Sequence, residues 1–209
     1  MVYETIFYSC DLFSTVVFAA SGTLMACQQH RNVCTAILYG VLTAVGGGTL
    51  RDLILGQSIF WMHSPIYICL ALSVALFVCL FSRTSWYRHE HFWLADGASL
   101  AIFSIVGTQV AMELSLVPFV WPLIGVLTGL GGGILRDLLS AQVPCALKRP
   151  YYLIASFVGS ALYGVLMSLW VPAFVASGAV LAIVMLILPV PLPVVVHCLK
   201  RRSYLISLD

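Results

Sequence analysis

Charged side chains are scarce in this sequence. Asp, Glu, Lys and Arg make up only 9% of its 209 residues, against about 25% in ordinary soluble domains, which excludes a solvated globular surface. The basic residues fall between apolar segments and build no continuous stripe, so nucleic acid is excluded as a partner. The sequence also lacks paired cysteines: Cys10, Cys27, Cys34, Cys69, Cys79, Cys145 and Cys198 stand singly, with no CxxC or other metal-ligand spacing. They read as small apolar residues. No HExxH, no GxxxxGK[ST] loop and no Ser/His/Asp spacing occurs. An enzyme is therefore not expected, nor a resident cofactor or metal. The first residues, Met1-Val2-Tyr3-Glu4, carry no basic region, so the first apolar run is expected to stay uncleaved, although Leu24-Met25-Ala26-Cys27 loosely imitates a lipoprotein cleavage box.

What fills the sequence is apolar. Hydrophobic residues make up 61% and the mean hydropathy is +1.04, values of an integral membrane protein. A bilayer-spanning helix needs about 20 predominantly apolar residues. Seven runs qualify, near 6–27, 33–55, 66–82, 94–114, 117–139, 151–170 and 173–198. The expected fold is all-α, a single membrane domain over 1–209. Trp61, Trp86, Trp93, Trp121 and Trp170 fall near span ends, where an aromatic belt belongs. His63 and His197 also lie near span ends and read as interfacial rather than metal-binding. Pro189, Pro191 and Pro193 predict a kinked end to the seventh span.

Two copies of one motif organise the chain. Gly46-Gly47-Gly48-Thr49-Leu50-Arg51-Asp52 and Gly131-Gly132-Gly133-Ile134-Leu135-Arg136-Asp137 lie 85 residues apart, in the second and fifth runs. Placing residues 11–82 on 96–167 without a gap gives 21 identities in 72 positions, where an apolar composition gives roughly 6 by chance. The shared positions include Asp11/Asp96, Ser14/Ser99, Gly22/Gly107, Thr23/Thr108, Gly40/Gly125, Thr43/Thr128, Gln57/Gln142, Pro65/Pro150 and Tyr67/Tyr152. Duplication is the simplest account. It divides the chain into a first repeat (5–82), a linker (83–93), a second repeat (94–170) and a seventh helix (173–199). Three spans per repeat is an odd number, so the second repeat should enter the membrane in the opposite sense to the first. Loop charges agree. Setting the two motif arginines aside, one side collects Arg31, Arg83, Arg88, Lys148, Arg149, Lys200, Arg201 and Arg202, the other none. The N-terminus is therefore expected outside and the C-terminus in the cytoplasm of a cell membrane.

Charges inside spans are costly and normally paired or wet, which singles out Asp11, Arg51, Asp52, Asp96, Arg136 and Asp137. They read either as the lining of an aqueous pathway or as inter-helix pairs that hold the repeats together. A cation pathway tolerates the two arginines only where aspartates or carbonyls neutralise them. Three consecutive glycines cost a helix roughly 1 kcal/mol each, so the second and fifth helices are expected to break at the triplets. Such breaks would expose carbonyls suited to a cation. Gly46, Gly47, Gly48, Gly131, Gly132, Gly133 and Thr49 become pathway candidates, joined by the repeated hydroxyls Thr43, Thr128, Ser14 and Ser99. Thr15, Thr23 and Thr108 are weaker candidates, because hydroxyls within spans commonly bond to the carbonyl one turn back.

The doubled GGGxxRD, set in two three-span repeats followed by a seventh span, closely resembles the prokaryotic branch of the trimeric intracellular cation channel family over about residues 5–200. The resemblance implies a homotrimer with a pore in every protomer, conducting monovalent cations, with K+ preferred and Na+ a second candidate. It also implies that the triplets bend two helices around that pore. The animal members carry a Lys-Glu-Val signature and bind phosphoinositide there. This sequence is glycine-rich at that point, so their gating does not carry over. Related bacterial sequences have been labelled transporters of glycine, which leaves a secondary transporter of a small amino acid as the alternative to a channel. A membrane scaffold with purely structural charges is the third reading.

Overall fold

The computed structural model describes residues 2–81, 89–148 and 150–188 and is helical, with no strand among the described residues. Its elements are α1 (Val2–Gln28), α2 (Val33–Ile54), the four-residue α3 (Phe60–His63), α4 (Ile66–Phe81), α5 (His89–Glu113), α6 (Trp121–Leu139), the four-residue α7 (Cys145–Lys148), α8 (Pro150–Ser168) and α9 (Ala173–Ile187). The seven expected runs each contain one long helix. Stretches within α1, α2, α6 and α8 are long and apolar enough to cross a bilayer, whereas the apolar α4 and α9 are shorter. The chain is an integral membrane protein. The linker charges Arg83 and Arg88, Arg149, the prolines at 189, 191 and 193, His197 and the basic residues 200–202 lie outside the described residues.

The helices end for a shared local reason. After α2, Gly56 takes a left-handed φ of 63°, its N–H donates to Leu53 O, and Gln57 N–H reaches Asp52 O. After α6, Ala141 takes φ 52° and repeats the pattern with Leu138 O, while Gln142 N–H reaches Asp137 O. His30 and Ser115 close α1 and α5 in the same way. Each is a left-handed cap that satisfies the last carbonyls of its helix, and the paired caps sit 85 residues apart.

Helices α1, α2, α5 and α6 make the centre. Helix α4 packs on α1 and α2, α8 packs on α5 and α6, and α9 lies against α8 and α5. Phe18 of α1 stacks on Phe103 of α5, with ring centroids 5.1 Å apart. The outer faces stay apolar, with Leu72, Leu76, Phe77 and Leu80 of α4 exposed, as a lipid-facing helix requires.

The expected breaks at the triplets do not occur. Both α2 and α6 run as continuous helices through Gly46–Gly48 and Gly131–Gly133. The reason is packing. A Cβ on Gly47 would stand 2.3 Å from Thr128 O, and one on Gly132 would stand 2.5 Å from Thr43 O. Here the glycines admit a neighbouring backbone, which repays their poor helix propensity. Tyr39 near the start of α2 donates its hydroxyl to Leu139 O at the end of α6, while a Cβ on Gly46 would meet Leu135. The two helices therefore cross antiparallel.

Candidate functional site

The crossing of α2 and α6 is surrounded by the side chains that the sequence singled out. Glycines contributed by both repeats meet at its middle: a Cβ on Gly131 would lie 2.8 Å from Gly47 Cα. Next to it, a Cβ on Gly22 would lie 2.4 Å from Thr43 Oγ1, and one on Gly107 would lie 2.4 Å from Thr128 Oγ1. Equivalent residues of the two repeats thus make equivalent contacts.

One charged cluster stands at each end of the crossing. At one end Arg51, 7% exposed, donates from Nε and Nη2 to Asp52 Oδ1 at 2.8 and 2.7 Å. Its guanidinium carbon lies 5.8 Å from the centroid of the Phe60 ring, a cation–π distance. The other oxygen of Asp52 accepts the backbone N–H of Phe60 at 2.8 Å. Asp11 accepts the Tyr67 hydroxyl at 2.6 Å, and Tyr67 packs edge-on against Phe60 with centroids 4.8 Å apart. At the other end Arg136, 4% exposed, bridges two helices, donating from Nη1 to Asp96 Oδ1 at 2.7 Å and from Nε to Asp137 Oδ1 at 3.0 Å. Arg136 Nη1 also donates to the Ser21 hydroxyl. Both arginines thus have the carboxylate partners that a cation pathway requires.

Helix α1 measures the separation. Asp11 belongs to the first cluster and Ser21 to the second, ten residues apart and so about 15 Å along the axis at 1.5 Å per residue. Among the described residues each cluster brings two carboxylates to one guanidinium, a formal charge of −1, with Arg51, Asp52, Asp96, Arg136 and Asp137 buried. A small cavity of about 20 Å³ opens beside the second cluster, lined by Phe18, Asp96, Gly133, Arg136, Asp137 and Tyr152 among others. Space of that size and polarity suits a water.

The hydroxyls divide sharply. Thr43 and Thr128 donate to Tyr39 O and Ile124 O at 2.6 and 2.8 Å, one turn back. Thr15, Thr23, Thr49 and Thr108 make the same local bond, and Thr49 Oγ1 also accepts Trp61 Nε1–H at 3.0 Å. Ser14 and Ser99 differ: both are fully buried, and neither hydroxyl has a hydrogen-bond partner among the described residues. A buried hydroxyl left without a partner costs about 1–3 kcal/mol. It occurs here at the same position of both repeats. Sequence reasoning did not single out Tyr67, Ser21 or Phe60 as site residues. Tyr67 was signalled by its repeat partner Tyr152, whereas Ser21 and Phe60 have Val106 and Cys145 in register and leave no such trace.

A glycine transporter family model matches the chain twice, over residues 8–83 and 93–168, two stretches again offset by 85. The structure of the TRIC trimeric intracellular cation channel orthologue from Rhodobacter sphaeroides shares 33% identity with this chain, with a TM-score of 0.83 over 87% of this chain and 94% of that one. The chain belongs to the trimeric intracellular cation channel family. A second TRIC cation channel structure, solved for its account of conductance, shares 27% identity with a TM-score of 0.80, covering 93% and 94% of the two chains. Among named relatives, the UPF0126 inner membrane protein YadS of Escherichia coli K12 is 33% identical over 156 residues, 73% of this chain and 74% of that protein. As a member of this channel family the protein is not an enzyme.

Proposed function

We propose that this protein is a monovalent cation channel, permeable to K+, with one pathway in each protomer of a homotrimer in the inner membrane. The pathway follows the α2–α6 crossing from one charged cluster to the other. The observation that carries the reading is the charge balance: among the described residues each end holds two aspartates and one arginine, all but Asp11 buried. In a low-dielectric setting a net negative charge attracts a cation and repels an anion. Asp52 and Asp137 help to set that preference, and the unpartnered hydroxyls of Ser14 and Ser99 are candidates to replace part of an ion's hydration shell. The Rhodobacter sphaeroides relative, described as a cation channel, supports the same reading.

Two inverted three-helix repeats are part of this proposal. The antiparallel sense of α2 and α6 supports them, as does the contact between Gln29 Nε2 and Ser140 O at 3.0 Å. That contact brings the α1–α2 turn, with Arg31, beside the end of α6 that leads to Lys148. Both loops then lie on one membrane side, the cytoplasmic one by their basic residues, with the N-terminus outside.

The test is K+ flux from liposomes carrying the purified protein, with valinomycin as the positive control and glycine uptake run in parallel. Passive K+ flux that falls in Asp52→Asn and Asp137→Asn supports the channel. Saturable glycine uptake without K+ flux would replace it with a transporter. The absence of both would leave the charges a structural role.

A further inference from the structure

Among the described residues the two ends of the crossing differ: a cavity opens beside Gly133 at one, and an aromatic ring packs against Gly48 at the other. The closest described atom to a Cβ built on Gly133 is Arg136 Nη2, at 3.8 Å, and Gly133 lines the cavity. At its counterpart Gly48 the same Cβ would stand 2.6 Å from Cε1 of Phe60 and 3.1 Å from Cδ1. The ring occupies the position that, at the other end, borders the cavity lined by Gly133 and Ala146.

The sequence explains the asymmetry. Helices α3 and α7 begin at 60 and 145, in register across the 85-residue offset. They carry different residues: Phe60-Trp61 in the first repeat stand where Cys145-Ala146 stand in the second. Ala146 is small and lines the cavity. Its counterpart Trp61 is held to Thr49 Oγ1 by its indole N–H. The Phe60 ring is clamped between the Arg51 guanidinium and the Tyr67 ring, while its backbone N–H is anchored to Asp52.

We propose that Phe60 is a plug that closes the Asp11–Arg51 end of the pathway while the Asp96–Arg136 end stands open. The proposal rests on the channel reading above. Opening then requires the ring to leave the face of Arg51. The anchor from Asp52 goes to the backbone of residue 60, so α3 keeps its attachment whatever side chain that residue carries. A plug of this design obstructs by ring volume and by screening Arg51, and it contributes no charge of its own.

Phe60→Ala removes the ring and keeps the backbone anchor. In the liposome assay it is expected to raise K+ flux several-fold over wild type. Phe60→Leu, which retains apolar bulk without a ring, should give an intermediate rise and decides the question if the alanine variant fails to fold, with size-exclusion profiles reporting folding. Ala146→Trp, which builds the bulk of Trp61 into the open end, should lower flux. Wild-type flux that both Phe60 variants leave unchanged overturns the plug and spares the channel. Flux in Phe60→Ala from a silent wild type supports the plug most strongly. Silence of wild type and every variant overturns the channel reading and the plug with it.

Discussion

Replacing Gly47 with alanine adds a single carbon at the closest approach of α2 and α6. That carbon would stand 2.3 Å from Thr128 O and 3.2 Å from Gly132 N, both backbone atoms of a continuous helix. Carbon contacts settle near 3.5–4.0 Å, so the two helices would have to part by roughly 1 Å. Overpacking of this kind costs about 1–3 kcal/mol, and the upper end applies because no flexible side chain can yield. Alanine recovers about 1 kcal/mol of helix propensity, leaving a net loss of about 2 kcal/mol. Gly178 of α9 is the control: a Cβ there meets no described atom within 4 Å, so Gly178→Ala should gain up to about 1 kcal/mol. For a chain of this size 1 kcal/mol shifts Tm by about 2–4 °C. The two variants should therefore differ by roughly 6–12 °C in detergent, read as the temperature at which the size-exclusion peak halves. Gly132→Ala, facing Thr43 O, should behave as Gly47→Ala does. A Gly47→Ala protein as heat-stable as Gly178→Ala would refute the view that the triplets exist for close packing.

Arg136→Leu should destabilise more than Arg51→Leu in the same assay. It removes an ion pair that ties α6 to α5 through Asp96, a loss of about 3–5 kcal/mol for a broken buried pair, whereas Arg51 pairs with Asp52, its own neighbour in the chain. Equal losses would contradict the asymmetry of the clusters. Ala141→Gly should raise Tm and Gly56→Ala lower it, each by the equivalent of about 1 kcal/mol, because both positions are left-handed and only glycine adopts that conformation without penalty. Ser14→Ala and Ser99→Ala should leave Tm unchanged or raised, since neither hydroxyl has a partner to lose. Their K+ flux should nevertheless fall, and unchanged flux would remove both hydroxyls from the pathway.

Much of this arrangement is legible in the residues alone. The helices follow from apolar run length, and the pairing of charges follows from the cost of leaving Arg51 or Arg136 alone in a bilayer. The repeat makes Tyr67 and Tyr152 visible because polar identities stand out against an apolar background. The triplets mislead for a definite reason. Helix propensity is a local penalty of about 1 kcal/mol per glycine, and sequence offers no view of the facing backbone that makes the same glycines favourable. Hydroxyls pose the same difficulty. Nothing in the spelling separates Thr43, which bonds to Tyr39 O, from Ser14, which bonds to nothing. That distinction depends on side-chain rotamer and packing. Phe60 is invisible to repeat matching because its importance lies in differing from Cys145.

Unbroken helices also change where an ion could be held. A helix interrupted at a glycine triplet would present free carbonyls, but in α2 and α6 the carbonyls are committed to their own ladders. Thr128 O and Thr43 O point across the crossing only as close neighbours of a glycine Cα, a weak contact at most. On the channel reading proposed above, coordination would therefore fall to side-chain oxygens, namely the carboxylates of the two clusters and the hydroxyls of Ser14 and Ser99. These sit on α1 and α5 as well as on α2 and α6, so a pathway of this kind would be walled by all four helices. On that reading the glycine crossing would set how closely the walls approach, the clusters would set which charge enters, and Phe60 would make one entrance unlike the other.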